Sequence, residues 1–426
     1  MKAPVLPAEV QAEVQASVQP DAAVAGEPLY ARLATSAGPL TGVRVIDLTV
    51  NVLGPVATMI LGDMGADVIK IETPEGDPNR QNGPSRNPDM AAMHLNMNRN
   101  KRSVTLNLKR PEAREALLRM VDSADVFIHS MRPPAAKRLG VAYEDIAARN
   151  PRIVYGYGCG YMPGGPREND PAFDDVVQGE AGIADLMLRS VGQARYLPTV
   201  IVDKFCGYML ASGVAMALYA RERTGLGQMV RVPMLETIVA FNLQEHLYGG
   251  AFDPPMGAGV GYVRLLSEHR RPYETSDGHI CVLAVNDQQW KRLLPTLGRP
   301  ELLTDPVFAT HEGRMKNIDR VYGMVSEQMK TRPTAQWHEL LDAIDVPNGP
   351  VARFEDMLSD PYLNEIGFFH RYRHPTEGPM VTTAVPTQFS GTPGGIHLPP
   401  PQLGEHNDEV LGWFGYGAED IANITR

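Results

Sequence analysis

The chain has 426 residues, and 40 lysines and arginines against 50 aspartates and glutamates give it a formal net charge of −10. That length suggests two or three domains at roughly 150 residues each, and hydrophobic residues at 43% with charged residues at 21% exclude wholesale disorder. The acidic balance argues against a nucleic-acid binder or an anionic-membrane binder, since either needs a clustered basic face. Cys159, Cys206 and Cys281 are odd in number, far apart and form no CxxC. They read as the cysteines of a reduced, cytoplasmic protein with neither a disulfide framework nor a metal site.

Residues 1–37 are rich in Ala, Val, Gln and Pro and mix Lys2 and Arg32 with Glu9, Glu13, Asp21 and Glu27. They suit neither a secretory signal nor a mitochondrial presequence and read as a flexible N-terminal extension. Beyond them, short apolar runs rich in β-branched residues predict strands at 42–48, 66–72, 102–109, 125–130 and 152–158. Helices are expected between them at 55–64, 111–124 and 133–139, each with a proline near its start. A long helix runs from Asp203 to Arg223 with Gly207, Ala211 and Ala215 at four-residue spacing, and a strand at 228–232 and a helix at 234–247 follow. No unbroken apolar run approaches 18 residues, so no transmembrane helix is expected. This alternation predicts an α/β protein with a doubly wound, mostly parallel sheet.

From Gly257 the texture changes. A small α+β domain is expected over 257–351, with a strand at 279–284 and helices around 288–294, 314–330 and 334–344. The large domain then comprises 38–256 and a proline-rich return segment, 352–426, that completes it. Gly257, Gly259 and Gly261 read as a mobile loop of the kind that can cover an active site.

The first strand is followed by Thr49-Val50-Asn51-Val52-Leu53-Gly54-Pro55 and not by GxGxxG, which argues against a dinucleotide-binding dehydrogenase. No GxxxxGK[ST], HExxH or GxSxG element occurs, and the eleven histidines show no ligand spacing. Asp203, between Val200-Ile201-Val202 and a helix rich in small residues, reads in two ways. It is an N-cap, accepting backbone N–H bonds, or a carboxylate nucleophile in a dry site.

Three early blocks carry a resemblance: residues 40–49 (LTGVRVIDLT), 65–72 (GADVIKIE) and 76–80 (GDPNR). Later blocks are 100–103 (NKRS), 223–228 (RTGLGQ) and 403–411 (LGEHNDEVL). In this order they resemble the family III CoA-transferases, the relatives of formyl-CoA transferase, carnitine CoA-transferase and α-methylacyl-CoA racemase. The resemblance implies two ring-shaped chains interlocked as a homodimer, each with a Rossmann-like large domain and a small domain. It implies acyl-CoA and a free carboxylic acid as substrates, with CoA as a substrate and no permanently bound cofactor. The family nucleophile falls at Asp203.

Carried over position by position, the resemblance places CoA contacts at Val52, Leu53, Thr73, Ser130, Met131, Arg138 and Lys109; by their charge, which counts for more in an acidic protein, the phosphate partners are read as Arg80 and Lys109. The last two read equally as solvated surface cations. Where the racemase branch has a His-Asp pair this chain has Phe173-Asp174, and phenylalanine moves no proton, which disfavours a racemase. A non-catalytic CoA-binding subunit is the remaining alternative, and the presence of Asp203 weighs against it.

Overall fold

The computed structural model describes residues 38–426; the extension expected at residues 1–37 lies outside them. Six strands form one parallel sheet: β1 (Arg44–Leu48), β2 (Asp67–Glu72), β3 (Lys101–Thr105), β4 (Val126–His129), β5 (Val154–Cys159) and β6 (Gln228–Pro233). Their order is β3-β2-β1-β4-β5-β6. The sheet is therefore wound outward in both directions from β1, and its topological switch point lies between β1 and β4. In such sheets ligands bind outside the carboxyl ends of the strands at that point.

Both faces of the sheet are covered, so β1, β2, β4 and β5 are buried almost throughout, the charged Asp47, Lys70 and Glu72 included. Successive residues still part to opposite sides. Ile46, Ile69 and Phe127 join one buried cluster, while Val45, Val68 and Val126 join the other. The first cluster is closed by helix α3 (Pro111–Asp122) and by two helices at the far end of the chain, Asn407–Trp413 and Ala418–Ile424. Asn407 fixes the first of these, its Oδ1 accepting from the Thr105 backbone N–H at 2.9 Å.

The second face carries α1 (Leu53–Asp63) and the 24-residue α8 (Ile201–Thr224). Between α1 and α3 lies α2 (Ala92–Met97); between α3 and α8 lie α4 (Pro133–Leu139), α5 (Tyr143–Arg149), α6 (Asp174–Glu180) and α7 (Ile183–Val191). By length and composition α8 is apolar enough to cross a membrane, unlike any other helix among the described residues. Its apolar residues Val202, Leu210 and Val214 are nonetheless buried against the sheet and α1, as in a core helix. Helix α9 (Met234–His246) packs beside it.

Residues 273–346 bury a third, separate apolar cluster around Trp290, Val321 and Trp337. A three-stranded antiparallel sheet belongs to this region, β7 (Tyr273–Glu274), β8 (His279–Val282) and β9 (Asn348–Pro350). The single helix expected at 314–330 is two, His311–Lys316 and Ile318–Met329. The return segment forms a hairpin, β10 (Phe369–His374) with β11 (Gly378–Thr383). Arg99 holds that hairpin to the main sheet side, donating to the Thr382 hydroxyl at 3.0 Å and the Thr383 carbonyl at 2.6 Å.

Candidate active site

A cavity of about 360 Å³ opens at the carboxyl ends of β1 to β4, at the switch point. Leu48, Val50, Ile71, Leu106, Leu108 and Leu139 make most of its wall apolar. Thr73, Lys109, Ser130 and Met131, four of the residues matched to CoA contacts, line it together. They come from three different strand ends, which is why only the sheet order could unite them.

The loop from Thr49 to Val52 runs from this cavity to α1, and a buried charge network holds it. Lys70, fully buried at the centre of β2, donates from Nζ to the Thr49 carbonyl at 2.7 Å and to Asp77 Oδ2 at 2.9 Å. Asp77 Oδ1 accepts from the Asn51 backbone N–H at 3.2 Å, and Asn79 Nδ2 donates to the Asn51 carbonyl. Asn51 takes a left-handed conformation (φ 64°), which asparagine tolerates better than most residues. Burial works against the charge on Asp47, but Lys101 and Lys70 outweigh it and hold that carboxyl below its usual range.

Val52 and Leu53 lie on the α8 side of this loop and not in the cavity lining. There α1 and α8 touch backbone to backbone: a Cβ built on Gly207 would stand 2.7 Å from the Leu53 carbonyl oxygen. No side chain fits at that crossing. Asp203 lies one helical turn before Gly207, on the same face of α8. The loop from the cavity thus ends at Leu53, which meets α8 one turn beyond Asp203.

Asp203 is the third residue inside α8, not its N-cap; the cap is Val200, which makes no side-chain bond. The capping carboxylate comes from elsewhere. Asp174 Oδ2 accepts from the Asp203 backbone N–H at 3.0 Å, while its Oδ1 accepts from Gln178 Nε2 at 2.6 Å. Gln178, fully buried, also accepts from the Leu197 N–H at 2.9 Å, tying down the chain that enters α8. Among the described residues no donor is bonded to the Asp203 carboxylate itself. Burial, with the neighbouring Asp174 charge, pushes its pKa up to about 7.

A carboxyl raised in this way is paid for in stability. Between the ordinary aspartate range and about pH 7, the unfolded chain has lost a proton that the folded chain keeps, so stability falls as pH rises through that window. Asp203→Asn is accordingly expected to raise the thermal midpoint at pH 8, and by less at pH 5. Equal midpoints of the two proteins at pH 8 in a thermal melt would remove the strained-carboxylate interpretation.

Not every matched residue reaches the site. The structure does not bring Arg80 to the cavity wall: it is 1% exposed, with its guanidinium paired to both oxygens of Glu72 at 2.7 Å and to the Pro401 carbonyl at 3.1 Å. Burial opposes the Glu72 charge, but Arg80 and Lys70 together hold its carboxyl down to about 2. Arg138 is exposed on α4 beside the lining residue Leu139. Lys109 is exposed at the cavity rim. Gly257 and Gly259 adopt left-handed conformations in an exposed segment that lines no part of the cavity, and Gly261 anchors its end through an N–H bond to the His246 carbonyl at 2.7 Å.

The capping role of Asp174 and Gln178 is not legible in the sequence. Their four-residue spacing is visible, but α6 is a seven-residue helix without a side-chain cap, and its partner amide lies 29 residues away. Among the described residues no group of three or more His, Cys, Asp or Glu is arranged to hold a metal ion.

A parallel sheet with a cavity at its switch point, and a half-buried carboxylate of raised pKa on the helix that crosses the end of the cavity loop, has the layout of an enzyme. The chain belongs to CoA-transferase family III, whose model matches residues 40–407, and it is thereby a CoA-transferase by family. It is 32% identical over 390 residues to a Mycobacterium tuberculosis protein named probable fatty acyl-CoA transferase Rv3272, covering 88% of this chain and 98% of that one. The crystal structure of Rv3272 matches with a TM-score of 0.77 at 30% identity, over 88% of this chain and 99% of that chain. An acetyl-CoA:oxalate CoA-transferase of Acetobacter aceti is 36% identical over 323 residues, covering 74% of this chain and 81% of that one.

Proposed function

We propose that the protein moves CoA from an acyl-CoA donor to a free carboxylic acid, with Asp203 as the nucleophile. The observation that carries this reading is the Asp203 carboxylate: half-buried, raised in pKa to about 7, without a bonded donor among the described residues, and one helical turn before Gly207, where α8 crosses Leu53 at the end of the loop from the cavity. The Asp203 oxygen attacks the thioester carbonyl; the C–S bond breaks, leaving a mixed anhydride and CoA thiolate. The thiolate attacks the Asp203 carbonyl of that anhydride, forming an aspartyl-CoA thioester and releasing the donor acid. The acceptor carboxylate then attacks the aspartyl thioester, expelling thiolate and forming a second anhydride. Attack by thiolate on the acyl carbonyl of that anhydride gives the new acyl-CoA and restores Asp203. Every intermediate is open to hydrolysis, so the chemistry needs a site closed to water, and the loop bearing Gly257, Gly259 and Gly261 is our candidate cover.

CoA enters as a substrate and not as a resident cofactor, with its adenosine-phosphate end toward Thr73, Lys109, Ser130 and Met131. Two chains are proposed to interlock as a homodimer, each with a small domain at 257–351. Apolar side chains left open along α8 support this, among them Met216 at 71% and Tyr219 at 66% exposed. We place the protein in the cytoplasm, as its free cysteines suit.

Intact-mass spectrometry after brief mixing with a panel of acyl-CoAs tests the chemistry. A hydroxylamine-sensitive adduct on the peptide bearing Asp203, absent from Asp203→Ala, is the expected result. CoA binding together with α-deuterium exchange, and no adduct from any donor, would replace the transferase with a racemase.

A further inference from the structure

His129 ends β4 immediately before the cavity residues Ser130 and Met131, and it is 2% exposed. Its ring is stacked on Tyr157 (centroids 4.7 Å apart, 16° between planes) and meets Tyr155 edge-on at 5.1 Å. Nδ1 accepts from the Met131 backbone N–H at 3.0 Å, so this nitrogen bears no proton. The proton is then on Nε2, which lies 2.6 Å from the Tyr155 hydroxyl oxygen. Tyr155 in turn donates its own hydroxyl proton to the Val141 carbonyl at 2.7 Å. Each donor in this chain faces an acceptor, and only the neutral Nε2–H ring satisfies all of them.

The two arms of the chain reach the two ends of one segment. Met131 opens it and Val141 closes it, with α4 between them, and Met131 and Leu139 within it form part of the cavity wall. The segment leaves the sheet at the carboxyl end of the internal strand β4, with Ala136 and Val141 in the buried cluster and Met131 and Leu139 packed against it, and holding its two ends fixes the wall that they form. Building on the CoA-transferase reading above, we infer that His129 is a positioning residue: with Tyr155 it clamps both ends of segment 131–141 and holds the CoA cavity ready for its ligand.

Protonation of Nδ1 would set a donor against the Met131 N–H. Burial forbids it, pulling the His129 pKa down to about 3. Among the described residues no ionisable side chain besides Tyr155 bonds the ring: its neighbours are Phe127, Tyr155 and Tyr157, and Tyr143 lies beyond, against Tyr155. The clamp therefore does not vary with pH in the working range.

The test compares His129→Leu, which loses both arms, with His129→Asn, whose Oδ1 stands near the Nδ1 position and keeps the Met131 arm. Tyr155→Phe deletes only the hydroxyl and leaves the rings in place. CoA affinity is read by isothermal titration calorimetry, and KM and kcat by transfer from an acyl-CoA. Expected is an about tenfold weaker Kd and higher KM in His129→Leu, and an about threefold change in Tyr155→Phe. His129→Asn should recover a good part of the loss, and kcat should stay within about twofold throughout, since Asp203 is untouched. Wild-type Kd and KM in the folded variants overturn the clamp, as does a loss of kcat at constant KM. Should His129→Leu fail to fold, unchanged binding in Tyr155→Phe and His129→Asn overturns it equally. A folded wild-type protein that does not take up CoA overturns the functional reading itself, and the clamp with it.

Discussion

Asp203→Ala is expected to lower the rate of CoA transfer by ~10⁴-fold or more, because removing a covalent nucleophile removes the pathway and not one interaction within it. CoA affinity should stay within about twofold, since the cavity residues Thr73, Lys109, Ser130 and Met131 stand on other strand ends. Steady-state transfer beside calorimetric CoA binding separates the two quantities. Asp203→Asn is the stricter comparison. It keeps the volume and the helix, and it leaves the backbone N–H that donates to Asp174. A variant retaining a tenth of wild-type activity would move the nucleophile elsewhere. In the wild type, kcat/KM is expected to rise with pH through about 7, as the Asp203 carboxyl loses its proton and becomes nucleophilic.

Arg80→Ala is expected to destabilise the fold by about 3–5 kcal/mol, because it strands the Glu72 carboxylate without its partner. Glu72 is 4% exposed, and among the described residues its carboxylate otherwise accepts only from the neutral Ser103 hydroxyl at 2.7 Å and the Asp77 backbone N–H at 3.1 Å. The loss reads as a lower urea midpoint at an unchanged denaturant slope. Arg80→Lys should restore only part of it, since one ammonium cannot reach both Glu72 oxygens and the Pro401 carbonyl in the geometry of the guanidinium fork. A folded Arg80→Ala with a wild-type midpoint and weakened CoA binding would return this residue to the phosphate site.

Arg80 shows where local pattern stops being informative. In the run Gly76-Asp77-Pro78-Asn79-Arg80 nothing distinguishes a cation aimed at a phosphate from one aimed into the core. Its partners are a glutamate eight residues earlier and a carbonyl 321 residues later. Lys109 has the same chemistry and the opposite fate: it follows β3 on the open side of the cavity and remains exposed. Thr73, Ser130 and Met131 meet at one rim because each closely follows a strand end and the sheet order brings those ends together. Leu53 stands outside the cavity lining, where it meets Gly207.

The alternation of strands and helices at the start of the chain, the family, and the separate texture of the region after Gly257 are all legible without a structure. The alternation and the change of texture are written in side-chain periodicity and turn residues over stretches of about 5 to 20 positions, and the family in the identity and order of its sequence blocks. Which charges are buried, which carboxylate caps α8 and how His129 is bonded emerge only when the chain is folded. Burial and electrostatic environment are set by neighbours distant in the chain. The Asp203 carboxyl is raised by burial in the folded chain and by the like charge of Asp174, 29 residues away.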